Sequence, residues 1–246
     1  MKNKILISLL IIIPIISFSQ KWNEEYGSPI VVLVETNPWL MVIGSDVPTI
    51  AIYDSRNIIY KRNENETFEY YSVKMDSIEF DKMLLSLNIT QDLIEMEEYI
   101  EASNWTDQPT NQIVIVSDSV YFKSVYGSIR KNKETRKKTP TEFLKVYDNL
   151  VKFKHKKEQK WLPENIEIMI SEYSHSPEKS KKWPEKWPDL KSESTIERGE
   201  SLYSIYLPNN YFKQFIEFQN SLNQKQAIEI NGKKFYATYR FPYPNL

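Results

Sequence analysis

The stretch AIEINGKKFYATYR, residues 227–240, decides the fold class. Asn231-Gly232 is the strongest short hairpin signal in the chain, because both residues tolerate the positive φ that a two-residue turn demands. It separates an arm at 227–230 from a second arm at 234–240. In the second arm Phe235, Ala237 and Tyr239 share one face, and Lys234, Tyr236 and Thr238 share the other, the period of a half-buried strand. So short a link forces antiparallel pairing, since a parallel pair needs a crossover of a dozen residues or more.

The same grammar runs back through the chain. β-branched and aromatic enrichment predicts strands at 30–34, 49–53, 58–61 and 67–75, the second and third joined by the turn residues 54–57. Asp76 with Glu79 three residues on makes a capping-box start, and Phe80, Met83, Leu84 and Leu87 follow at helical spacing. A second, acidic helix is expected over 92–101. Strands at 112–117 and 120–126 precede a helix at 140–155, where Thr139 caps, Pro140 occupies the first turn and Phe143, Val146, Tyr147 and Leu150 form one apolar stripe. A strand at 165–173, a polar segment to about 200, a strand at 202–207 and a helix at 209–222 lead into the closing hairpin. Strand pairs followed by single helices, about three times over, predict an α+β fold. It would be mostly antiparallel sheet, with about three to four helices packed on it in strand-strand-helix units.

The N-terminus carries a different message. Lys2 and Lys4 precede an apolar run from Ile5 to Ile16, and Ser17-Phe18-Ser19 places small residues at the −3 and −1 positions of a peptidase site. The run is too short for a spanning helix, which needs about 20 apolar residues. Residues 1–19 therefore read as a cleavable signal peptide, with cleavage between Ser19 and Gln20. That leaves 20–246 as a single α+β globular domain, with 105–111 as the place where it would subdivide. The expectation is an exported bacterial protein, periplasmic or secreted, soluble after cleavage and without a transmembrane segment.

Composition excludes several chemistries. The chain of 246 residues has no Cys, two His and five Gly. Thiol nucleophiles, thiolate metal sites, disulfides and multi-His metal sites are out of reach, and no two glycines lie close enough to cradle a phosphate. No metal and no cofactor are expected. A formal net charge of −1 gives no global attraction to nucleic acid.

That small net charge conceals segregation. Residues 64–107 hold twelve acids and two bases, whereas residues 123–160 hold thirteen bases and four acids. Lys152, Lys154, Lys156, Lys157 and Lys160 form a basic patch, a candidate contact for anionic envelope lipid or glycan. The plainer reading is two solvated faces lying near each other in the fold. Trp183-Pro184-Glu185-Lys186-Trp187-Pro188 is the most unusual string. Two indoles on a stiff loop would make a stacking surface for sugars, or else pin the loop to the core.

Catalytic signals are thin. Gly44-Ser45-Asp46 is turn chemistry and lacks the Gly-x-Ser-x-Gly elbow. His155 lies inside the Lys cluster, so His175, between Glu172 and Glu178, is the better candidate base and joins Trp183 and Trp187 as a candidate ligand residue. The functional expectation is a non-catalytic exported protein with a binding or envelope-associated role. The alternative is a hydrolase acting on extracellular or envelope polymers such as glycans, through a carboxylate pair that no motif selects.

Overall fold

The computed structural model describes residues 22–40, 42, 44–64 and 67–246. The signal segment, with Ser19 and Gln20, lies outside the described residues. The chain folds as two predominantly antiparallel sheets with five α-helices among the described residues, an α+β architecture rich in strand.

The first sheet opens with β1 (Pro29–Glu35), β2 (Ile50–Tyr53), β3 (Asn57–Glu64) and β4 (Thr67–Lys74), followed by α1 (Ser77–Ser86) and α2 (Gln91–Glu95). Next come β5 (Tyr99–Glu101), β6 (Thr110–Val116) and β7 (Val120–Tyr126), then α3 (Lys133–Lys138), α4 (Thr141–Val151) and β8 (Gln159–Lys160). The strand order is β5-β7-β6-β1-β2-β3-β4-β8, so β1 lies in the middle with a meander on one side and the β6–β7 hairpin on the other. Alternation sends Val31 and Leu33 of β1 to one face, against Phe80, Leu93, Phe143, Val146, Tyr147 and Leu150 from the helices. Val32 faces the other way with Ala51, Tyr53 and Ile59, and meets Tyr243 from the far end of the chain.

The second sheet contains β9 (Asn165–Glu172), β10 (Lys181–Lys182), β11 (Thr195–Gly199), β12 (Leu202–Pro208), β13 (Ile228–Ile230) and β14 (Lys233–Arg240), with α5 (Phe212–Asn220) between β12 and β13. Its order is β10-β13-β14-β9-β12-β11. The hairpin at Asn231-Gly232 is present, with positive φ at both residues. Ile166, Ile168, Ile170, Phe235 and Ala237 turn one face to Phe215 of α5.

Several elements differ from the sequence reading for identifiable reasons. Helix is confined to 91–95, and 99–101 instead pairs in parallel with β7. Thr139 does not cap α4. Its hydroxyl donates to the Thr135 carbonyl and closes α3, a helix the apolar period did not reveal, and Pro140 occupies the cap position of α4. Asp76 caps α1 as expected, accepting from the Glu79 amide at 2.8 Å. Glu79 does not complete the box, because its carboxylate is engaged by His155 and Lys157. The polar segment before 200 supplies β10 and β11. Each sheet thus carries one short parallel edge pair, β5 on β7 and β10 on β13.

Candidate functional site

The acid of Asn165-Ile-Glu-Ile-Met-Ile170 organises the site. Ile166, Ile168 and Ile170 face the core of the second sheet, so Glu167 must face the opposite side. Its cross-strand neighbours are Tyr206 on β12 and Arg240 on β14. Arg240 grips the carboxylate with Nε at 2.7 Å and Nη2 at 3.2 Å, and Ser204 Oγ donates to it at 2.6 Å. A β-bulge between Glu197 and Gly199 takes Arg198 out of the β11–β12 ladder. Bulges commonly re-aim a side chain in this way. Arg198 reaches Glu167 at 3.2 Å, Ser204 at 3.1 Å and the Tyr206 hydroxyl at 2.9 Å. Glu167 is 0% exposed beneath these guanidiniums.

Above this cluster lies a cleft of about 460 Å³, walled by Asp46–Pro48, the β9–β12–β14 face and the tail 241–246. Trp22 stands at its rim, 55% exposed. Arg240 also donates through Nη1 to the carbonyls of Gly44 and Asp46, at 2.7 and 3.4 Å, and so ties the second sheet to the 37–48 loop of the first. Four charged side chains line the cleft, two Arg against Asp46 and Glu167, and they balance. The cleft thus offers guanidinium and phenol donors and an indole face, with its side-chain charges in balance.

A second cleft, of about 370 Å³, lies at the end of the first sheet where the loops 36–39, 107–109 and 128–131 converge. It repeats the same device. Glu35 accepts from Thr49 at 2.7 Å, from Tyr147 at 2.6 Å and from Arg130 through both Nε and Nη2. Burial works to raise the Glu35 carboxyl, but the Arg130 pair and the two hydroxyls bring it below the ordinary range. Burial, and then Glu35 itself, raise the Tyr147 phenol, against the pull of Arg130. Trp39 stands at this rim, 71% exposed, and Trp105 is exposed on the loop that supplies Asp107. The two clefts meet where residues 36–39 lie against residues 46–48. The Asn37 amide, in the second cleft, donates to Asp46 Oδ1, in the first, at 2.8 Å.

The sequence candidates fall elsewhere. Trp183 and Trp187 are 7% and 6% exposed, in edge contact with each other at 5.0 Å and packed on Phe215 and Phe218. Trp183 Nε1 donates to the Pro188 carbonyl at 2.8 Å, which closes the Trp-Pro loop on itself. His175 is exposed, with its ring edge-on to Tyr173 at 5.1 Å. Of the five lysines, Lys157 meets Glu79 at 3.3 Å, Lys160 meets Glu69 and lies over Tyr71, and Lys152 meets Asp148 at 3.6 Å, while Lys154 and Lys156 are exposed. The acidic and basic segments therefore face each other. His155 Nε2 contacts Glu79 at 2.9 Å and Nδ1 accepts from the Lys157 amide, so both ring nitrogens are engaged in this junction. Ser45 Oγ donates to the Val42 carbonyl at 2.7 Å.

Glu167, Arg198, Arg240 and Trp22 were not singled out by sequence reasoning. One signal was available, a lone acid at an alternating position inside an apolar strand, since such a group is buried only with partners. Among the described residues no cluster of three His, Asp or Glu is placed to hold a metal, and no helix is long and apolar enough to cross a membrane. Comparison of the chain with protein-family models, curated proteins and solved structures returns no match.

Proposed function

We propose that this is an exported, non-catalytic binding protein, and that it takes a hydroxyl-rich glycan of the cell envelope or surroundings in the cleft between its two sheets. One observation carries the reading: a fully buried carboxylate, Glu167, holds two guanidiniums in place beside an exposed indole, Trp22. Sugars are recognised by this combination, a ring face against an aromatic and hydroxyls against fixed donors and acceptors. Balanced lining charge suits a neutral ligand better than a strongly anionic one.

A glycan hydrolase needs a carboxylic acid that reaches the scissile bond and a second carboxylate beside it. Glu167 does not meet solvent, and Asp46 Oδ1 is taken by the Asn37 amide. Binding is therefore the reading the geometry favours.

The test is calorimetric titration of the full chain, after removal of its leader, with soluble chito-, cello- and peptidoglycan-derived oligosaccharides. One of these classes should bind. Arg198→Ala should weaken it about tenfold or more, the cost of losing a charge-assisted hydrogen bond, with an unchanged circular dichroism spectrum. Binding by none of the three, or release of reducing ends during incubation, overturns the proposal. Export is checked separately: the protein recovered outside the cytoplasm should have the mass of a chain beginning at Gln20, less one ammonia where that residue cyclises.

A further inference from the structure

The geometry points to a polymeric ligand: we infer that one glycan chain lies across both clefts, over the junction of residues 36–39 with 46–48. This rests on the glycan reading above and goes beyond it to ligand length and a second subsite. Asn37 and Asp46 line different clefts, yet one 2.8 Å hydrogen bond joins them. The walls of the two clefts therefore touch at this point. Each has a volume, about 460 and 370 Å³, near the lower end of the 300–1,000 Å³ typical of small-molecule sites, room for a short piece of a chain.

Both are built alike. A donor-saturated glutamate below, Glu167 or Glu35, fixes an arginine at the surface, Arg198 or Arg130. In each arginine Nε and Nη2 are held by these partners, which fixes the plane of the guanidinium at the cleft. An exposed indole lines each cleft, Trp22 the first and Trp39 the second. Planar guanidiniums held this way lose little freedom on binding. A glycan repeats the same ring and hydroxyl pattern along its length, so a repeated device is what such a chain would engage. Occupying the second cleft from a chain already held in the first is an intramolecular step, so affinity climbs with length.

Calorimetry with chito- and cello-oligosaccharide ladders of one to eight sugars tests this. For a ladder that binds, affinity should rise about tenfold or more from the short to the long members, the lower part of the gain expected for linked sites. Trp39→Ala, with its exposed side chain, should fold normally. It should remove most of that rise and leave the affinity for the shortest binding member unchanged. Arg198→Ala should weaken every member. Length-independent affinity, or a long-chain affinity that Trp39→Ala does not move while Arg198→Ala lowers it, leaves a single-cleft binder and overturns the inference alone. No binding at any length of either ladder overturns it too, and the peptidoglycan arm of the earlier titration then decides whether the glycan reading itself survives.

Discussion

Lys61 sits between the two clefts and shows what their charges cost. Its ammonium donates to the Val47 carbonyl at 2.8 Å and lies over the Phe68 ring. Burial lowers its pKa to about 8 from 10.5, and Glu35 and Asp46 only partly oppose this. Below pH 8 both native and unfolded chains carry the proton, and the native chain bears the full penalty of about 3 kcal/mol. Between pH 8 and 10.5 the unfolded chain binds a proton that the native chain lacks, so the Lys61 contribution makes stability rise with pH. Lys61→Met removes the penalty and loses one hydrogen bond of about 1 kcal/mol. It should therefore be more stable than the parent by about 2 kcal/mol at pH 7. Urea midpoints taken from pH 7 to 10 should show the gap closing as pH rises. A constant gap would mean that Lys61 titrates as an exposed lysine does. Glu35 behaves in the opposite sense: its lowered carboxyl adds stability above the ordinary carboxyl range, and that stability is lost as pH falls through the native value.

At the scale of elements, the loop 183–190 works as a core element and the segment around Trp22 works as surface. Trp183→Ala should cost about 3–5 kcal/mol, the range for emptying an aromatic site, because its indole is enclosed by Trp187, Phe215 and Phe218. Trp22→Ala should change stability by less than about 0.5 kcal/mol, as exposed substitutions do. Equal losses in the two variants, measured by chemical denaturation, would contradict these placements. The contrast also marks what was legible in the chain. β-branched and aromatic enrichment located β1 to β4, and helical stripes and alternation located α1, α4 and the closing hairpin, because these segments supply the apolar residues that the cores bury. α3 and β11 were hidden, since α3 buries only Thr135 and β11 is a largely exposed edge strand. The first cleft was hidden for the same reason. Arg198 belongs to that edge strand, and the meeting of residues 46, 167, 198 and 240 depends on register between strands distant in sequence. Rarity in composition drew attention to Trp183 and Trp187, but rarity does not distinguish an indole packed inside from one presented to solvent.

For the whole molecule, the question is what joins two sheets that each have a core of their own. Charge contributes little at the surface, because the acidic and basic segments pair within the first sheet and its helices, at Glu79 with Lys157 and Glu69 with Lys160. The tail 241–246 does more. Phe241 belongs to the core of the second sheet, while Tyr243 packs on Val32, Ala51, Tyr53 and Ile59 of the first. The Tyr53 hydroxyl donates to the Pro244 carbonyl at 2.9 Å, and the Asn245 side chain bonds Asn23 and the Gly27 carbonyl. Tyr70 of β4 adds a ring contact to Phe241 at 4.6 Å. Deleting 241–246 removes this wedge and also one wall of the first cleft. The helix-covered core of the first sheet stays intact, and the α5-covered core of the second loses Phe241 alone. In calorimetry the full chain should unfold in one transition and the shortened chain in two, because the apolar interface left between the cores shrinks to Tyr70 and Trp161. The transition that moves least should be that of the first sheet, whose helix-packed face does not touch the tail. A single transition in the shortened chain, merely at lower temperature, would place the coupling in Arg240 and its hold on the 44–46 backbone instead.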